Sequence, residues 1–183
     1  MRRVLSVLAA IALSIPAVAG ELAGVTLPDS VAAGDATLVL NGMGLRKKAI
    51  FKVYVGALYL PAKSGDAAAV IALDAPKRMV MHFLRDVDGK AVADAWKEGF
   101  ANNSAAKLPA LQQRLDNFAS LWSDVKTGDE VTMTYVPAVG LKLAIRGKEV
   151  GLLLGKDFAD AVMACWLGEK PPSEDLKNGV LGR

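Results

Sequence analysis

Residue patterns that alternate every second position and patterns that recur every third or fourth fall in separate blocks along this chain. That segregation limits the fold more than any other feature of the sequence. Strand-like runs occupy Ala36 to Asn41 and Ala49 to Leu60 (AIFKVYVGALYL), the second ended by Pro61. A short Ala-rich helix is predicted over Gly65 to Ile71, and another strand over Lys77 to Leu84. Two helices follow. The first runs from Gly89 to about Phe100 behind Asp88 as N-cap, and the second from about Leu108 to Trp122. Glu130 to Val136, Leu141 to Arg146 and Glu149 to Leu154 then read as an antiparallel meander. A helix over Lys156 to Leu167 and a final turn or two within Ser173 to Val180 complete the order. Blocks of strands, helices, strands and helix predict an α+β domain, an antiparallel sheet with a helical layer on one side. A βαβ architecture would alternate instead. Val25 to Leu27 reads as an edge strand in the lead-in, and Gly42-Met43-Gly44 as a turn. The long run to Leu60 alternates imperfectly, as expected of a strand covered on both faces.

The first residues follow a different logic. Arg2 and Arg3 precede an apolar stretch from Val4 to Ile15, then Pro16 and Ala17-Val18-Ala19. A basic start, a short apolar run and small residues at the cleavage positions predict an export signal over residues 1–19, cleaved after Ala19. The run is too short for a comfortable bilayer span, and the sequence after Ala19 contains no longer one. Residues 20–183 are then a single domain outside the cytoplasm, in the periplasm. The formal charge of +3 over the whole sequence includes those two arginines. Without them 20 basic side chains face 19 acids, and strong nucleic-acid binding is disfavoured.

Residue scarcity removes other classes. One Cys and one His cannot form an internal disulfide or a Cys/His metal site. His82 sits mid-strand, where a hydrogen-bonded core or rim residue is the ordinary role. Cys165 lies on the apolar stripe of a helix, with nothing nearby in sequence to activate it. Gly42-Met43-Gly44 lacks the third glycine of a dinucleotide loop, and Gly155-Lys156-Asp157 fails the phosphate-loop spacing. No cofactor is expected. Asp86, Asp88, Asp94 and Glu98 read as solvated acids rather than a shared site. The segment Asn41 to Pro61 is more suggestive: Arg46 stands beside an aromatic, apolar strand bearing Lys52, Tyr54 and Tyr59. A guanidinium near an apolar cleft can grip a carboxylate or phenolate while the walls take the rest of the ligand. On spacing alone, an exposed arginine and a core tyrosine remain the stronger reading.

Gly42-Met43-Gly44-Leu45-Arg46, then Phe51 to Leu60, resembles the N-terminal signature of the chalcone isomerase family. The likeness continues through Ala161 to Glu169 and the following Pro-Pro-Ser-Glu-Asp-Leu-Lys, and is strongest to the bacterial exported branch. It implies an open-faced β-sandwich, a large antiparallel sheet layered with helices, and a cleft between them. In the plant isomerases an arginine after the Gly-x-Gly segment positions the substrate for ring closure, and Arg46 matches it. Two catalytic threonines correspond to Tyr54 and Cys165. The region of the catalytic tyrosine and its neighbouring asparagine reads Asn102-Asn103-Ser104. Non-catalytic members bind fatty acids through an arginine and a tyrosine of this same region, a pair that Arg46 and Tyr54 resemble. The expectation is an exported, non-catalytic protein that binds a small apolar carboxylate, such as a fatty acid, or a phenolic ligand. Two alternatives remain open: an isomerase acting on a chalcone-like conjugated ketone, and an envelope structural protein without a ligand.

Overall fold

A computed structural model describes residues 18–183. Most of the expected export signal, residues 1–17, lies outside the described residues. Seven strands form one antiparallel sheet in strictly sequential order: β3 (Ser30–Ala33), β4 (Ala36–Lys48), β5 (Phe51–Leu60), β6 (Lys77–Phe83), β7 (Glu130–Val136), β8 (Gly140–Ile145) and β9 (Lys148–Leu153). A separate hairpin, β1 (Val18–Leu22) and β2 (Val25–Pro28), pairs antiparallel. The helices are α1 (Ala67–Ala72), α2 (Gly89–Asn103), α3 (Leu108–Ser120), α4 (Lys156–Leu167) and α5 (Glu174–Val180). The architecture is the expected α+β one, with Val25 to Leu27 in a strand as read.

Helices and hairpin cover opposite faces of the sheet. On one face Leu58, Met79, Met81, Phe83, Met133 and Leu143 meet helix residues such as Trp96, Phe118, Phe158 and Val162. On the other, Leu38, Leu40, Val55, Ala57, Tyr59 and Val80 meet Val25 and Leu27 of the hairpin. β5 is therefore buried on both sides from Tyr54 to Leu60, which explains its imperfect alternation. Asp88 caps α2 as expected, its carboxylate accepting from the Lys90 N–H at 2.7 Å and the Ala91 N–H at 3.3 Å.

Gly42-Met43-Gly44 is not a turn. β4 continues through it, and the turn comes later, at Ala49 and Ile50 between the paired residues Lys48 and Phe51. Asn41 is the extra residue of a bulge between Leu40 and Gly42. Its amide donates to the Val180 and Ser64 carbonyls at 2.8 and 3.0 Å, so the bulge ties β4 to the end of α5. The glycines serve close packing: a Cβ on Gly44 would stand 2.3 Å from the Leu176 carbonyl oxygen. The backbone of α5 rests directly on β4, and no sequence pattern within β4 announces that. β3 has no signature in the sequence either, because SVAA is too short and too small to show an alternation.

Candidate functional site

Arg46 and Tyr54 are directly opposed in the β4–β5 register, and Tyr54 is opposed in turn by Phe83 of β6. Opposed residues of an antiparallel pair share a face. The row Arg46, Tyr54, Phe83 therefore points toward the helices, with the Tyr54 and Phe83 rings 5.6 Å apart. α4 crosses above, and the Trp166 indole N–H donates to the Tyr54 hydroxyl at 2.9 Å. Trp96 of α2 meets the Trp166 ring edge-on at 5.0 Å. Between this row and α2 lies a cavity of about 370 Å³, within the ordinary range of ligand pockets. Its apolar wall includes Val53, Met81, Phe83, Val92, Trp96 and Trp166, and Arg46, Lys48, Asn102 and Lys170 add polar groups to the lining.

The chemistry of this cavity is that of a donor site. Tyr54 is buried, and burial pushes its phenol up from 10.0 to about 12, while Trp166 and Arg46 pull the other way. At neutral pH the hydroxyl keeps its proton. It accepts from Trp166, and among the described residues that proton has no acceptor. An incoming N–H on the oxygen polarises the O–H and makes it a better donor. Arg46 is half-buried; its Nη1 donates to the neighbouring Lys47 carbonyl, which leaves further guanidinium N–H groups beside the cavity. A bound anion would meet a cation and an O–H donor from adjacent strands.

The other residues singled out by sequence are engaged elsewhere or held inert. Cys165 lines the cavity, but burial pushes its thiol well above the ordinary value, and its Sγ lies 3.4 Å from the Ala161 carbonyl. Asn103 clamps the chain, donating to the Gly99 and Lys170 carbonyls and accepting from the Lys170 N–H. Asn102 reaches the cavity lining. His82 is half-buried and opposed to Glu130 on the sheet. Asp86 is taken up by Lys126 and Thr127, Asp88 by its helix cap and Asp94 by Lys90, while exposed Glu98 stands on the cavity rim. Asp157 is gripped bidentately by Arg114 at 2.8 and 2.6 Å. Among the described residues no group of three His, Cys, Asp or Glu could hold a metal ion. The reading of spacing missed Trp166 and Trp96. The available clue is that Trp96 and Trp166 each fall on the apolar stripe of a helix, α2 and α4.

The profile of the chalcone isomerase-like family matches residues 19–182. No curated protein matches the sequence. Among solved structures the chain is similar to the crystal structure of a fatty-acid binding protein of Arabidopsis thaliana. The two share 18% sequence identity and a TM-score of 0.67, over 86% of this chain and 92% of that one. At that identity the likeness is one of fold.

Proposed function

The chain belongs to the chalcone isomerase-like family, and from that premise we propose that it is an exported, non-catalytic protein that binds a small apolar carboxylate, such as a fatty acid. The observation that carries this reading is the convergence of Arg46 and Tyr54 on one apolar cavity. The guanidinium takes the carboxylate charge, Tyr54 donates its unused proton, and the tryptophan-rich wall takes the chain. The fold likeness to a fatty-acid binding protein supports it, and the basic-apolar-small pattern of residues 1–19 supports export.

Isothermal titration with laurate tests the clamp. Charge-assisted hydrogen bonds contribute about 1.5–3 kcal/mol, so Arg46→Ala is expected to weaken laurate binding about tenfold or more with the melting temperature little changed. Tyr54→Phe removes one neutral donor and is expected to cost several-fold less. Methyl laurate, which carries no charge, should bind wild type and Arg46→Ala alike. Unchanged laurate affinity in Arg46→Ala would overturn the clamp. For the isomerase reading the cavity offers hydroxyl and thiol groups that hold their protons tightly, which favours binding over proton abstraction. Turnover of chalcone, followed by absorbance and abolished in Arg46→Ala, would reverse that ranking.

A further inference from the structure

The β4–β5 hairpin tip has three features that cost a soluble protein stability or solubility. Ile50 is 88% exposed and Phe51 54% exposed, side by side. Lys47 and Lys52 are cross-strand partners, and like charges directly opposed on a hairpin destabilise it. Ala49, the first residue of the two-residue turn, has a φ of 51°, a left-handed conformation that Asn or Gly adopts more cheaply. Turn chemistry and packing therefore do not account for this sequence.

The charge around the tip is one-sided. Arg46, Lys47, Lys48 and Lys52 fall within seven residues, and no acid occurs between Asp35 and Asp66. Arg85 adds a fifth cation, its guanidinium 4.5 Å above the Phe51 ring. The acid next to Arg85, Asp86, is already paired with Lys126 at 3.1 Å. Apolar side chains at the apex with cations set behind them complement an anionic lipid surface. The Phe51 ring and the branched chain of Ile50 enter the acyl boundary while ammonium and guanidinium groups meet phosphates. Such a surface also screens the Lys47–Lys52 repulsion. The tip adjoins the cavity, since Arg46 and Lys48 belong to its lining.

We propose that the β4–β5 hairpin tip docks this protein onto anionic phospholipid membranes, with Ile50 and Phe51 inserted and Lys47, Lys48, Lys52 and Arg85 on the headgroups, so that the cavity opens toward the bilayer. Docking through the tip does not depend on a ligand in the cavity. Vesicle co-sedimentation of the full chain tests it, with phosphatidylglycerol mixed into phosphatidylcholine and with phosphatidylcholine alone. The wild type is expected to favour the anionic vesicles, and to lose that preference as salt rises. Ile50→Ser with Phe51→Ser, and separately Lys47→Gln with Lys52→Gln, should each lower the anionic-vesicle affinity at least tenfold. Neither pair lines the cavity, so laurate titration in solution should be unchanged in both. Arg46→Ala should still sediment with anionic vesicles, which separates failure of the carboxylate clamp from failure of docking. Equal binding to neutral vesicles, full binding by either double variant, or a dimer in analytical centrifugation that Ile50→Ser with Phe51→Ser dissolves would overturn the proposal.

Discussion

Lys77→Met is expected to lower stability by about 3–5 kcal/mol, the cost of removing one partner from a buried charged network. Lys77 is fully buried, and its ammonium donates to the carbonyls of Val70, Ile71 and Leu73 at 3.0, 2.7 and 3.0 Å. These are carbonyls at the C-terminal end of α1, which the helix itself cannot satisfy. Asp160 of α4 lies 3.7 Å from the same ammonium and is also bound by Lys156 at 2.6 Å. Methionine fills the space but leaves three carbonyl acceptors without a donor and takes one of two cations away from Asp160, whose Oδ2 keeps only Lys156. Urea unfolding checks the loss. A second signature comes from pH. Burial, opposed by Asp160, pulls the Lys77 ammonium down from 10.5 to about 8. Between those values the unfolded chain keeps the proton that the folded chain releases, so this group's contribution to stability rises with pH across that window. Lys77→Met lacks the rise. The stability gap between wild type and variant should therefore widen from pH 7 to pH 10, and a gap that stayed constant would argue against a titrating Lys77.

Nothing in the sequence marks Lys77 as buried, and the reason is general. Its acceptors are backbone carbonyls, which carry no residue identity, and they are presented by a helix whose placement depends on α4. Elements whose causes are local were legible. The run from Leu108 to Trp122 shows its apolar stripe at spacings of three and four, and Asp88 caps α2 through its own side chain. The AIFKVYVGALYL run betrayed a two-sided strand because burial on both faces removes the polar half of the alternation. Arg46 and Tyr54 were legible as residue types and through their family resemblance. Their opposition is a matter of register, set by the turn at Ala49-Ile50 and by a bulge at Val53, between the pairs Lys47–Lys52 and Arg46–Tyr54, neither of which spacing reveals. Trp166 completes the site from a helix more than a hundred residues away in the chain, 112 positions from Tyr54. A contact of that kind leaves only a tryptophan on an apolar stripe as its trace. The Gly-x-Gly segment shows the opposite error: two glycines suggest a turn when conformation is the only reason considered, whereas here the reason is contact.

Gly44→Ala separates those two reasons, and it is expected to destabilise the protein by about 3 kcal/mol, at the upper end for overpacking. Gly44 has none of the positive φ values found in this chain, so alanine fits its backbone and conformational strain contributes nothing. The new Cβ would stand 2.3 Å from the Leu176 carbonyl oxygen and 2.8 Å from the Leu176 Cα. Both are backbone atoms of α5, and no rotamer change can move them. Gly56, the cross-strand partner of Gly44, provides the contrast. There a Cβ would meet Leu176 Cδ1 at 2.9 Å, the end of a side chain that can turn away. Gly56→Ala should accordingly cost markedly less. In a domain of this size a loss of about 3 kcal/mol corresponds to a fall in melting temperature of roughly 6–12 °C, readily seen by calorimetry. The two variants should also differ in ligand binding. Lys170, Pro171 and Pro172, which lead from α4 into α5, lie on the cavity lining. Lifting α5 from β4 displaces that rim, so Gly44→Ala should weaken laurate binding as well as stability, while Gly56→Ala leaves the affinity near wild type. Equal stability losses in the two would show that α5 yields as easily as a side chain, and would remove the argument that the Gly-x-Gly segment exists to seat it.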